Sequence, residues 1–218
     1  MLQEEFEKAK AQVEEFGAPC LCVYTDVSSE SAVQNMVATV KERFGRIDVL
    51  VNNAGINKSE PAESMAFETW QKVLSVNLTG TFLVSREVGA VMLEQGAGNI
   101  VNITSMSGLV VNPLPQTQCA YNSSKAGAIM LTKCMANEWA ERGVRVNAIA
   151  PGFMRTPLTQ KRLDTPNDPS VAKWYSGTPM NRIGMPEELV GAALYLASDM
   201  ASYTTGTCVT IDGGYTIL

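Results

Sequence analysis

A single α/β domain is what this sequence predicts, on three observations. Short apolar runs alternate with longer helical stretches along the chain. The run over 47–52 is almost continuously apolar, as expected of a strand covered on both faces. The chain has 218 residues, 45% hydrophobic and 18% charged, enough for one sizeable core, and no repeat or low-complexity linker divides residues 1–218.

The elements follow in order. A charged amphipathic helix covers about 2–16, and Gly17 ends it. A strand over 20–24 comes next. Ser28 is the expected N-cap of a helix running to residue 44, where Gly45 closes it. After the strand 47–52, Asn53-Ala54-Gly55 makes a sharp turn at the strand's carboxyl end, where open α/β sheets bind ligands. Taken alone, such a turn means no more than a turn. A long helical stretch covers about 67–94 with Asn77 inside it, a poor interior residue because its amide competes for backbone groups. Gly96-Ala97-Gly98 reads as a helix-end turn, and the strand 99–104 delivers Ser105 just beyond its carboxyl end.

The next helix, about 121–142, packs through Ala128, Leu131, Ala136 and Trp139, and a strand over 144–149 follows. Residues 153–180 are polar and Pro-containing and read as a mobile lid with short helices. Trp174, Tyr175 and Met180 in it either cover a substrate or pack the lid down. A helix over 186–198 carries Pro186 in its first turn, and 208–211 is the final strand.

Chemistry concentrates in Tyr121-Asn122-Ser123-Ser124-Lys125. Tyr121 and Lys125 lie four apart, on one helical face. A free tyrosine ionises near pH ~10, and an adjacent ammonium is expected to lower that value. The chain has no histidine, so tyrosine is the best proton-transfer candidate. Alone, YxxxK is a common coincidence on helices, and a lone Ser105 at a strand end is more often a cap.

Seven stretches in order change that balance. They are Thr25-Asp26-Val27; Asp48-Val49-Leu50-Val51-Asn52-Asn53-Ala54-Gly55; Val76-Asn77; Ile103-Thr104-Ser105-Met106-Ser107-Gly108; Tyr121 to Lys125; Arg145-Val146-Asn147-Ala148-Ile149-Ala150-Pro151-Gly152; and Ile211-Asp212-Gly213-Gly214. Together they resemble the short-chain dehydrogenase/reductase family from about Tyr24 to the C-terminus. The resemblance implies a Rossmann-like doubly wound parallel sheet binding NAD or NADP. It implies Tyr121 as acid/base, with Lys125 lowering its pKa and holding the nicotinamide ribose. It makes Ser105 the group that orients the carbonyl or alcohol, and Asn77 the support for a relay water. Asn53, Ala54 and Gly55 would lie along the cofactor, Asp26 and Val27 would contact the adenine, and Pro151, Gly152 and Thr156 would lie near the nicotinamide. The interval from Ser105 to Tyr121 is longer than is common in the family, and Asn112-Pro113-Leu114-Pro115-Gln116 within it reads as a loop near the substrate.

The sequence departs from the family at its start. Residues 1–16 contain no glycine, so the Gly-rich phosphate loop is missing, and the first helix matches the one leading into the third strand. The expected fold is therefore N-terminally truncated, without its first βαβ unit, leaving 47–52 an unpaired edge. Two explanations compete: a fragment or wrongly placed start, or a protein that has lost or altered cofactor binding.

Composition bounds the rest. Net charge is −5 and no basic stripe appears, which argues against a nucleic-acid partner. No apolar run is long enough for a membrane span, and the acidic N-terminus lacks a signal-peptide pattern, so a cytoplasmic location is expected. Cys20, Cys22, Cys119, Cys134 and Cys208 are scattered; with no histidine and no CxxC, no metal site is expected and free thiols are. The activity expected from the resemblance is reversible hydride transfer between a nicotinamide cofactor and a carbonyl or secondary alcohol. The stretch 105–121, with Asn112, Gln116 and Gln118, resembles the polyol and gluconate dehydrogenase branch and implies a sugar, polyol or sugar-acid substrate. A 3-oxoacyl thioester reductase is the alternative within the fold. A non-catalytic chain acting only through oligomer contacts is the alternative from another class. A homo-oligomer, tetramer or dimer, is implied by the resemblance.

Overall fold

The computed structural model describes residues 2–217. Helix α1 (Leu2–Glu14) ends in a turn with Gly17 at φ 74°. The strand expected over 20–24 is not formed. Strand assignment needs a neighbour to share a ladder, and no described strand runs beside this segment. Instead Cys22 Sγ reaches Phe6 O at 3.6 Å.

Helix α2 (Glu30–Phe44) starts one residue later than expected. Ser29, not Ser28, accepts from Ala32 N at 3.4 Å, because Ser28 is held by Asp26 through its backbone N (2.9 Å) and hydroxyl (2.6 Å). Gly45 closes the helix in the left-handed region, as its position predicts.

Four parallel strands form one sheet in the spatial order β1 (Val49–Asn52), β2 (Gly98–Ile103), β3 (Val144–Pro151) and β4 (Cys208–Ile211). Val51 pairs with Val101, Val101 with Asn147, and Ala150 with Thr210. Helices α3 (Phe67–Leu74) and α4 (Gly80–Gln95) are joined by a single π-turn, Ser75–Thr79. Asn77, a poor helix-interior residue, sits in this turn. The remaining helices are α5 (Cys119–Trp139), α6 (Pro157–Leu163), α7 (Pro169–Ser176) and α8 (Val190–Ala197).

The larger core lies on one face of the sheet. There Val88 and Met92 of α4 and Met135 and Trp139 of α5 close over Ile100 and Val146. Each such side chain contributes about 1.5–3 kcal/mol on burial. α4 and α5 approach closely because residue 89 is glycine: a Cβ there would stand 2.7 Å from the Trp139 ring. On the other face Leu196 of α8 packs over Val101 and Ile149. β1 is not covered on both faces as expected. α8 packs over β2 and β3, so Val49 and Val51 remain 41% and 48% exposed.

This topology places three carboxyl ends side by side. β1 leads into Asn53-Ala54-Gly55, β2 into Ser105, and β3 into Gly152. A parallel sheet aims all its strand ends at one rim, and the cleft lies there.

Candidate active site

The cleft encloses about 340 Å³, within the range of small-molecule sites. Asn53 and Gly55 line one side, Pro151, Gly152 and Thr156 another, and Ser105, Tyr121 and Lys125 form the floor. The sequence-predicted residues therefore converge, with four exceptions, of which Asn77 lies behind the floor and is described below. Ala54 does not line the cleft. Asp26 lies outside it, bonded to Ser28. Val27 is packed into the larger core beneath Gly80, where an added Cβ would meet it at 2.8 Å.

Ser105 is placed by the end of β2 and held by its own turn: its Oγ accepts from Ser107 N at 3.1 Å. A hydrogen bond links its hydroxyl to Tyr121. Tyr121 and Lys125 project from the first turns of α5, as the four-residue spacing requires. Lys125 Nζ donates to Ile103 O at 2.9 Å and lies 5.7 Å from the centre of the Tyr121 ring.

The electrostatics differ from expectation. Burial pushes the Tyr121 phenol above its ordinary value, and the Ser105 hydrogen bond offsets only part of that. Lys125 is itself pulled down to about 8 by burial. In this arrangement Tyr121 is a neutral phenol, set to donate a proton. A spacing motif reveals which groups meet, whereas desolvation depends on everything packed around them.

Asn77 is fully buried behind this floor. Its Oδ1 accepts from Ile56 N (2.8 Å), and its Nδ2 donates to Ile56 O (2.9 Å) and Ser124 Oγ (3.0 Å). The side chain thus locks the loop after β1 against α5. Its backbone carbonyl accepts from Thr81 Oγ1 at 2.8 Å, which leaves one lone pair on that oxygen.

The nicotinamide half of a dinucleotide fits these residues. Lys125 has three N–H donors and one carbonyl partner, which leaves donors for ribose hydroxyls. A Cβ at residue 55 would sit 3.5 Å from both Lys125 Nζ and Asn77 Oδ1, so the Gly55 backbone borders the same polar floor. Among the described residues no glycine-rich strand-to-helix turn is present to hold a pyrophosphate. The described residues also contain no cluster that could hold a metal ion, and all five cysteines are free thiols.

The lid packs firmly. Thr156 and Thr159 cap α6, Asp168 caps α7, and Arg162 of α6 reaches Asp168 Oδ2 (3.5 Å) and Ser170 Oγ (3.0 Å). Trp174 is buried, stacks on Phe153 at 4.5 Å, and donates through Nε1 to Gln116 Oε1 at 3.0 Å. Asn57 and Arg162 also line the cleft and were not singled out by the sequence. Asn57 lies two residues past Gly55, and only that proximity could have flagged it. Asn112 does not line the cleft; it stands behind Gln118.

Residues 1–216 match the family profile described as enoyl-(acyl carrier protein) reductase. Galactitol 2-dehydrogenase (L-tagatose-forming) of Cereibacter sphaeroides is 43% identical over 195 residues, 89% of this chain and 75% of that protein. A 3-oxoacyl-acyl-carrier-protein reductase of Thermotoga maritima is 42% identical over 192 residues, 88% of this chain and 75% of that protein. Among solved structures, a gluconate 5-dehydrogenase of Burkholderia cenocepacia, in complex with NADP and tartrate, superposes with TM-score 0.91 at 31% identity. That match covers 99% of this chain and 83% of the other. With this agreement in sequence, in the Rossmann-like parallel sheet and in the order of the motifs, the chain belongs to the short-chain dehydrogenase/reductase family of oxidoreductases.

Proposed function

We propose that this chain is an NAD- or NADP-dependent dehydrogenase acting on a secondary alcohol, or the matching ketone, of a sugar, polyol or sugar acid. The observation that carries the substrate class is the cleft wall against the lid, where the side-chain amides of Asn57, Gln116 and Gln118 lie in the same lining as Tyr121. Amides suit hydroxyl groups, as donors and as acceptors. A cofactor bound along Gly55 and Lys125 would supply or accept the hydride. Tyr121 gives its proton to the substrate oxygen in reduction, converting C=O to CH–OH, and takes it back in oxidation. Ser105 steadies the oxygen as charge develops, and Lys125 holds the ribose.

The charges in the cleft accommodate a neutral polyol or a sugar acid, since no carboxylate side chain lines it. Lys125 and Arg162 are the cationic side chains lining it, and Arg162 is already paired with the largely buried Asp168. Relatives named for galactitol and threitol support this reading. The 3-oxoacyl thioester reading stands as second choice on the Thermotoga relative. We further infer a homo-oligomer, supported by the exposed apolar side chains Phe67, Phe82 and Met130 on α3, α4 and α5; sedimentation velocity tests it.

The test begins with calorimetric titration of NADH and NADPH, followed by rates with L-tagatose and L-sorbose against an acetoacetyl thioester. Reduction of a ketose that is cut about 10²–10⁴-fold by Tyr121→Phe is the expected result. A preference for the thioester refutes the substrate class, and full activity in Tyr121→Phe refutes the acid/base assignment.

A further inference from the structure

Helix α1 stands apart from the fold. Among the described residues, neither apolar core includes one from α1. Phe6 is half-buried, and the side chains from residue 7 to residue 16 are exposed. The Cys22 contact is made to the Phe6 backbone oxygen, not to a side chain. A helix of 13 residues is marginal in water without a partner to pack on.

Its apolar side chains are not scattered. Phe6, Ala9, Val13 and Phe16, the last in the turn that ends the helix, follow at intervals of three, four and three. That is the spacing of a coiled-coil seam. Val13 is 40% and Phe16 89% exposed, so the seam meets solvent.

The flanking charges choose both an occupant and an orientation. Glu5 immediately precedes one seam residue, and Lys10 immediately follows another. In two such helices lying parallel and in register, the preceding position of one meets the following position of the other, five residues further along. Two copies of α1 therefore set Glu5 of each against Lys10 of the other, with opposite charges at both contacts. An antiparallel pair over the same seam sets Lys10 against Lys10 instead. Within its own helix Lys10 meets Glu14 at 3.9 Å, a long contact between exposed groups that holds it only weakly.

We propose that α1 is a self-association surface. The seam of Phe6, Ala9, Val13 and Phe16 packs in parallel against the same seam of a second copy of this chain, and Glu5 of each copy pairs with Lys10 of the other. The seam covers about two heptads, so the contact belongs to the weak, transient class. It is separate from the exposed faces of α3, α4 and α5, and it does not depend on the substrate.

Sedimentation equilibrium over a range of concentrations reads the association. Glu5→Lys brings like charges against Lys10 of the other copy, and Lys10→Glu does the same against Glu5. Each variant alone should associate about tenfold more weakly than wild type. A one-to-one mixture of the two restores opposite charges at both contacts and should recover the wild-type distribution. Ala9→Leu fills the seam and should tighten association by about tenfold or more. All three positions are exposed, and circular dichroism checks that each variant keeps its helices. Charge variants that sediment like wild type overturn the proposal, and place any association on other faces. A mixture that fails to recover overturns the parallel register. If wild type and Ala9→Leu are both monomeric at every concentration, a second copy is not what covers α1.

Discussion

Lys125 should make this chain less stable at neutral pH, and its replacement by methionine should make it more stable. Burial lowers the ammonium from 10.5 to about 8. At about 1.4 kcal/mol for each tenfold change in proton affinity, that displacement opposes folding by about 3 kcal/mol wherever the group is charged in both states. Below about pH 8 both states hold the proton, and the whole penalty is present. Between about pH 8 and 10.5 the unfolded chain binds a proton that the folded chain does not, so wild-type stability rises with pH. Lys125→Met removes the charge and also the bond to Ile103 O, worth about 1 kcal/mol. The net expectation at about pH 7 is a gain of about 1–3 kcal/mol, or about 3–10 °C in Tm for a chain of this size. Urea unfolding of both proteins from about pH 7 to 10.5 is the assay, and the gap should shrink by about 3 kcal/mol across it. The raised Tyr121 pKa lowers stability above about pH 10, but it does so in both proteins and drops out of the difference. Parallel curves would refute the reasoning, because repacking around methionine adds only a pH-independent offset.

Other perturbations read other parts of the structure. Asn77→Ala strips three hydrogen bonds from a fully buried side chain and leaves Ile56 N unpaired; it should destabilise by about 2–4 kcal/mol in urea unfolding. Gly89→Ala drives a methyl to 2.7 Å from the buried Trp139 ring and should cost about 1–3 kcal/mol, accompanied by a changed tryptophan near-UV circular dichroism band. Val51→Lys places a charge on a half-exposed edge strand and should reduce concentration-dependent association seen by light scattering, with stability changed by less than about 1 kcal/mol.

Where chemistry depends on local spacing, the sequence was a sufficient guide. Tyr121 and Lys125 share a helical face because they are four apart, and Ser105 and Gly152 meet because parallel strands end on one rim. The irregularity at Asn77 was legible because an amide is a poor helix-interior group. The failures have a common physical origin in neighbours distant in the chain. Residues 20–24 have strand composition, yet a ladder needs a second strand. Val49 and Val51 look like core residues, yet their burial depends on where α8 lies. Burial raises the Tyr121 phenol, opposed by the Ser105 hydrogen bond, and no spacing between residues reveals that desolvation. Asn57 is unremarkable in sequence; its place in the cleft wall comes from Gln118 (2.9 Å), which Gln116 links (2.9 Å) to the Trp174 indole in the lid.

That last arrangement depends on one contact. The residue that sets the amide chain sits on α7, a short helix packed on loops rather than on the sheet. Because Trp174 is buried and stacked on Phe153, its indole holds Gln116 in place for as long as the lid stays packed. Loss of that one donor would free Gln116 and the amides behind it to turn end over end. The order of the cleft wall is therefore set by a residue 58 positions away in the chain.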